Sequence, residues 1–67
     1  AMGKYAAAER EFLAADRAFP YSATLINNLA FVQYRLGKVS LADGNYHRAR
    51  YRFLLNDSRY GIISTST

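Results

Sequence analysis

Apolar residues in the first third of the chain recur three or four positions apart. Between residues 4 and 19 there is no Gly or Pro, and the repeated residues form one stripe: Tyr5, Ala8, Phe12, Ala15 and Phe19. This spacing predicts a helix over residues 4–19. Pro20 cannot continue a helix and biases the residue before it away from helical geometry, so we expect a turn at residues 19–21.

A second helix is predicted over residues 23–36. Its broad apolar face consists of Leu25, Ile26, Leu29, Ala30, Val32 and Leu36. Ser22 precedes it as a candidate N-cap, whose hydroxyl would accept a hydrogen bond from an unpaired backbone N–H. Gly37 follows as a candidate C-terminal cap. Start and stop signals therefore bound this helix on both sides.

A third helix is predicted over residues 40–55. Its stripe consists of Val39, Ala42, Tyr46, Ala49 and Phe53. Ser40 and Asp43 fit a capping box, in which a hydroxyl is followed three residues later by a carboxylate. Gly44 costs on the order of 1 kcal/mol inside a helix, and it indicates either a close helix crossing or a weak first turn, of which we favour the crossing.

The residues after the third stripe have turn and capping character. Asn56, Asp57 and Ser58 predict a turn, and the chain ends in the polar run Ser64-Thr65-Ser66-Thr67. We interpret 56–67 as a tail or as the start of a truncated further helix. At the other end, Ala before Met is typical of what a protease leaves after removal of a purification tag, so residues 1–3 are a candidate tag remnant.

The chain also repeats itself. Gly3-Lys4, Ala8, Ala15 and Phe19 recur 34 residues later as Gly37-Lys38, Ala42, Ala49 and Phe53. A period of about 34 residues is the length of one helix-turn-helix unit in stacked helical arrays, and such a unit needs neighbours to bury its apolar face. We therefore expect an all-α fold of antiparallel helical hairpins, with three main helices over residues 4–55.

This arrangement resembles the tetratricopeptide repeat. Ala8-x3-Phe12, Ala15 and Pro20 match the second helix and exit of one repeat, and Ile26-x2-Leu29-Ala30-x2-Gln33, Gly37, Ala42-x3-Tyr46 and Ala49 match the next repeat. In the family pattern Ile26 replaces an aromatic residue, Ala30 replaces Gly, Gln33 replaces Tyr, and Leu54 stands where Pro would end the repeat. The resemblance covers one and a half repeats, with a stub that begins at Tyr60. An ordinary three-helix bundle is the alternative fold.

The resemblance implies an α-solenoid whose job is to bind other proteins. In the family, the first helix of each repeat lines a concave groove that takes a peptide or a partner's helix. The corresponding residues here are Thr24, Asn27, Asn28, Phe31, Tyr34 and Arg35. The amides could hydrogen-bond a peptide backbone, the aromatic rings could anchor apolar side chains, and Arg35 could hold a carboxylate. An ordinary exposed helix face is the alternative interpretation.

A segment of a helical-repeat array would also contain packing residues that lack the neighbouring helices they normally contact. The residues expected to pack between repeats, or between copies of the chain, are Tyr5, Phe12, Phe19, Tyr46, Phe53 and Tyr60. Stable arrays generally need about three repeats with polar end caps. We therefore expect this chain to form a homo-oligomer or to belong to a longer array.

Charge and composition narrow the choice of partners. The 67 residues have a net charge of +4, and residues 37–67 hold +3 of it, which favours acidic partners. The chain has no Cys, which is compatible with both cytosol and periplasm and leaves the compartment unassigned. No apolar run approaches the ~18 residues of a membrane span, and the N-terminus lacks the pattern of a signal peptide, so we expect no membrane insertion.

Catalytic chemistry is not predicted. The one His and the five carboxylates form no paired-acid, metal-ligand or nucleophile arrangement, and we expect neither an enzyme nor a cofactor. Arg48, Arg50 and Arg52 alternate with aromatic residues, which makes a small basic nucleic-acid binder the alternative function. Helical geometry separates Arg50 from the other two side chains, so a nucleic-acid partner is the weaker hypothesis.

Overall fold

The computed structural model describes residues 2–59, and these form three α-helices. The helices are α1 (Met2–Ala18), α2 (Ala23–Arg35) and α3 (Val39–Arg59). The described residues contain no strand, so the predicted all-α class is confirmed. Residues 2 and 3 of the candidate tag remnant are helical, whereas Tyr60 and the rest of the predicted tail lie outside the described residues.

The two connections form as the local sequence predicts. Ser22 has an extended backbone, and its side chain accepts a hydrogen bond from the amide of Leu25 at 3.2 Å, which makes it the N-cap of α2. Gly37 has a φ of 81°, and the amides of Gly37 and Lys38 donate to the carbonyls of Tyr34 and Gln33. This is a Schellman cap, which requires the left-handed conformation that glycine adopts without strain.

The helices pack as antiparallel neighbours with α2 in the middle. Tyr5, near the start of α1, contacts Phe31, near the end of α2, and α2 packs against both α1 and α3. The buried apolar core consists of Ile26, Leu29, Ala30, Val32, Ala42 and Ala49. Most of this core comes from α2, because a central helix must bury residues toward both neighbours.

Small residues lie where the helices approach each other. Ala30 and Ala42 are completely buried, and Ala8 is half-buried. Small side chains let helix axes come close together. Among residues 2–59, no helix combines the length and the hydropathy that crossing a bilayer would require.

The structure corrects both ends of the third predicted helix. It begins at Val39, and the carbonyl of Lys38 accepts the first helical hydrogen bond, from the amide of Ala42 at 2.9 Å. Ser40 is therefore already inside the helix, and the predicted capping box does not form. The predicted turn at residues 56–58 is also wrong, because α3 continues to Arg59. Asn, Asp and Ser each cost at most about 0.7 kcal/mol in a helix, and no Pro stops this one.

The predicted close crossing at Gly44 is wrong as well. Gly44 is exposed, and a Cβ built at this position meets no other atom within 4 Å. The glycine therefore permits no close approach of another helix. It lies in the second turn of α3 with nothing packed against it.

Candidate functional site

The predicted binding face is the exposed side of α2. All six residues proposed for it are exposed: Thr24, Asn27, Asn28, Phe31, Tyr34 and Arg35. The buried residues of the same helix are Ile26, Leu29, Ala30, Val32 and Gln33. The 3.6-residue period of the helix separates these two sets, because residues three or four apart share a face.

One part of this face joins α3 to form an open groove. Thr24 and Asn27, together with Ala23 from α2, lie across from Tyr46, Ala49, Arg50 and Phe53 of α3. The groove has a volume of about 340 Å³ and opens to solvent. From Tyr46 to Phe53 it follows α3 for about 10 Å, or two helical turns. We call this the α2–α3 groove.

Another part of the face packs toward α1. The ring of Phe31 meets the ring of Tyr5 edge to face, with centroids 6.4 Å apart, and the Arg35 guanidinium lies 5.3 Å from the Phe31 centroid. Such stacking holds an exposed aromatic ring in one position. Asn28 and Tyr34 are exposed but do not line the α2–α3 groove. The structure therefore divides the predicted face into a groove side and an aromatic side.

The predicted packing residues also fall into different environments. Tyr5, Phe12 and Tyr46 are half-buried, whereas Phe19 and Phe53 are 67% and 57% exposed. Tyr46 and Phe53 both line the α2–α3 groove. Tyr60, the remaining predicted interface residue, lies outside the described residues. Large exposed rings at two positions of the repeat leave apolar surface available to a neighbour.

A chain of polar side chains connects all three helices. Lys38 Nζ donates to both oxygens of Glu9, at 2.8 and 3.0 Å, and Gln33 Nε2 donates to Glu9 Oε2 at 3.3 Å. Asn45 Nδ2 then donates to Gln33 Oε1 at 2.6 Å. Arg48 completes the chain by donating to Asn45 and, at 2.7 Å, to Asp16. We call these six residues the polar network.

Sequence reasoning missed this network, although a signal was present. Glu9 is only 7% exposed and Gln33 only 3%, so both belong to the interior. Glu9 falls in register with Tyr5 and Phe12, and Gln33 falls in register with Ile26 and Leu29. A polar residue in the register of an apolar stripe indicates a buried hydrogen-bonded group, because an unpaired one would be costly.

The network sets the charge state of Glu9. Its hydrogen bond with the Lys38 ammonium lowers the pKa of the Glu9 carboxyl below its ordinary value, against the raising effect of burial. Gln33 adds a smaller lowering effect. Glu9 is therefore an ionised group inside the protein, held by a cation from the turn between α2 and α3.

The three alternating arginines of α3 lie in different environments. Arg48 forms an ion pair with Asp16, and the Arg52 guanidinium lies 4.3 Å from the centroid of the Tyr21 ring. Arg50 lines the α2–α3 groove and forms no ion pair with the described side chains, those of residues 3–56. Asp43 and His47, which could pair across one helical turn, form no ion pair in this structure and are both exposed.

Metal-ligating residues do not gather in the part of the chain that the structure describes, where no group of three His, Cys, Asp or Glu side chains could hold an ion. The geometry of residues 2–59 instead offers an exposed helix face, an adjoining apolar groove and an arginine at its rim. Comparisons of the sequence and the structure with models of protein families, with curated proteins and with solved structures gave no match.

Proposed function

We propose that this chain is a non-catalytic protein-interaction module of the tetratricopeptide type, which binds a peptide or helix of a partner protein along α2. The observation that carries the proposal is the exposure of all six predicted binding residues, two of which line the open α2–α3 groove. Exposed aromatic residues next to a concave apolar surface are typical of binding sites.

The helix arrangement supports the repeat interpretation. Stripes 34 residues apart lie on α1 and α3, and short turns connect both helices to α2. Ala30 and Ala42, which stand at small-residue positions of the repeat pattern, are completely buried. Exposed rings at Phe19 and Phe53 fit a unit with missing neighbours, so membership of a longer array or assembly of several copies is part of the proposal.

A selection experiment tests the proposal. Peptides selected from a displayed random library against the chain are expected to bind the wild type by calorimetry. Replacing Phe31→Ala together with Tyr34→Ala should weaken binding about tenfold or more, because exposed aromatic anchors dominate such interfaces. Circular dichroism should show unchanged helix content, since both side chains are exposed.

A matched pair of substitutions controls for general loss of apolar surface. Val39 and Leu41 are also large and exposed, but they belong to α3 and are not among the six residues of the predicted face. Val39→Ala with Leu41→Ala should leave peptide affinity within about twofold of the wild type. The proposal fails if no selected peptide binds in solution, or if both double variants weaken binding equally.

A further inference from the structure

The α2–α3 groove combines a largely apolar lining with one cation, Arg50, which forms no ion pair with any side chain that the structure describes. We infer that the groove accepts an amphipathic helix of another protein whose apolar side chains enter the groove and whose carboxylate binds Arg50. The inference rests on the proposed function and deepens it, because it specifies the site, the shape of the partner and its charge.

The groove has the shape of a helix-binding surface. Its walls are two antiparallel helices, and the residues that line it from α3 are spaced three or four apart: Tyr46, Ala49, Arg50 and Phe53. A ridge of side chains from a third helix, spaced in the same way, fits between such rows. The lining includes two small residues, Ala23 and Ala49, and two aromatic rings, Tyr46 and Phe53.

The charge of the groove favours a carboxylate. Arg50 is its one charged lining residue, and the other polar lining residues, Thr24 and Asn27, are neutral. Arg48 forms an ion pair with Asp16, Arg52 lies over the Tyr21 ring, and neither residue lines the groove. An arginine at the edge of an apolar surface binds a carboxylate in a directed, often bidentate geometry.

A second copy of this chain is a poor source of that carboxylate. Glu9 and Asp16 already form ion pairs with Lys38 and Arg48. Among residues whose side chains the structure describes, only Glu11 and Asp43 remain as exposed carboxylates. Each copy has a net charge of +4, so two copies repel each other. An acidic partner protein would bind the groove without this electrostatic repulsion.

Two synthetic helices that differ only in charge provide the test. Each has about 16 residues, enough for measurable helicity, with Ile, Leu and Ala spaced as Ile26, Leu29 and Ala30 are in α2. One bears Glu at the flanking positions and the other bears Gln. By fluorescence anisotropy, the wild-type chain should bind the Glu peptide about fivefold more tightly than the Gln peptide.

Two pairs of variants test whether the charge preference depends on Arg50 and whether the peptides bind in the groove. Arg50→Gln should reduce the Glu-to-Gln affinity ratio to about one, whereas Arg17→Gln, an exposed arginine of α1 with the same change in net charge, should leave it near fivefold. Asn27→Trp should block the groove and weaken both peptides at least tenfold, whereas His47→Trp, at an exposed position of α3 that does not line the groove, should not. Circular dichroism checks that each variant folds.

The outcomes separate this inference from the proposed function. Equal binding of both peptides, or a charge preference that survives Arg50→Gln, overturns the inference and leaves the interaction module standing. Failure of these two peptides while library-selected peptides bind along α2 also overturns only the inference. Absence of binding by any peptide overturns both. A dimer in sedimentation experiments that Asn27→Trp dissociates makes a second copy the occupant and overturns the inference.

Discussion

At the scale of single residues, two glycines with different environments should respond in opposite ways to the same substitution. Gly37 has a φ of 81°, which an alanine adopts only with strain of about 1 to 2 kcal/mol. Gly44 lies in α3 with open space at its Cβ position. Alanine there gains up to about 1 kcal/mol of helix stability. We expect Gly37→Ala to lower the free energy of unfolding and Gly44→Ala to raise it.

Urea titrations followed by circular dichroism measure both changes, and each variant serves as the control for the other. The two substitutions add the same methyl group, so any general effect of alanine cancels in the comparison. If Gly44→Ala destabilised the chain, a close neighbour would have to lie against α3, contrary to the exposed position found here. If Gly37→Ala had no effect, the left-handed cap would not persist in solution.

At the scale of the elements, the polar network connects α1 to the rest of the molecule at two residues, Glu9 and Asp16. The pKa of Glu9 is lowered in the folded state, so its ionised form stabilises the fold above the unfolded pKa of about 4.3. This contribution is lost as the pH falls through the lower, folded pKa. At pH 7 we expect Glu9→Gln to cost about 1.5 to 3 kcal/mol, because a charge-assisted buried hydrogen bond is lost.

Unfolding measured from about pH 7 to pH 3 tests this dependence. The stability difference between wild type and Glu9→Gln should stay constant down to about pH 5 and shrink below about pH 4.3. Glu11→Gln is the matched control, because Glu11 lies on the same helix but is exposed. The free energy of unfolding of this variant should stay within about 0.5 kcal/mol of the wild-type value. A Glu9→Gln difference that grew on acidification would contradict the assigned ion pair.

Signals within a few residues predicted the three helices. Contacts between residues far apart in the sequence could not be predicted in this way. The stripe of α2, the hydroxyl of Ser22 and the left-handed Gly37 act within a few residues, so each can be recognised from its neighbours. The exposed face of α2 followed from the same periodicity, whereas its role in binding came from the family resemblance and stays a prediction. By contrast, Asp16 and Arg48 are 32 residues apart, and no local pattern indicates that they pair.

The misplaced end of α3 has a different physical origin. Asn56, Asp57 and Ser58 favour turns and caps, but this preference is small beside the backbone hydrogen bonds that a continuing helix retains. The groove was also beyond sequence reasoning, because it depends on how α2 and α3 pack. Asn27 and Asn28 are adjacent in sequence and alike in chemistry, yet only Asn27 lines it.

At the scale of the whole molecule, the distribution of positive charge leads us to predict weak binding of nucleic acids. Lys38 and Arg48 are neutralised by Glu9 and Asp16, and the remaining described basic residues are spread over three helices: Lys4, Arg10, Arg17, Arg35, Arg50 and Arg52. Binding to a phosphate backbone needs several cations along one surface, and its affinity falls with salt in proportion to their number. In this structure, these six basic residues are instead distributed over three helices.

We therefore expect filter binding of labelled single-stranded RNA and duplex DNA to be weaker than about 10 µM near 150 mM salt, with a shallow logarithmic salt slope of magnitude below about 2. Asp16→Asn provides a matched test of the cause, because it releases Arg48 from its ion pair without adding a basic residue. For this variant, the slope of log affinity against log salt concentration should steepen by the amount expected for about one additional phosphate contact. Micromolar binding and a steep slope in the wild type would instead favour the nucleic-acid alternative, since a surface with only scattered cations cannot release so many counterions.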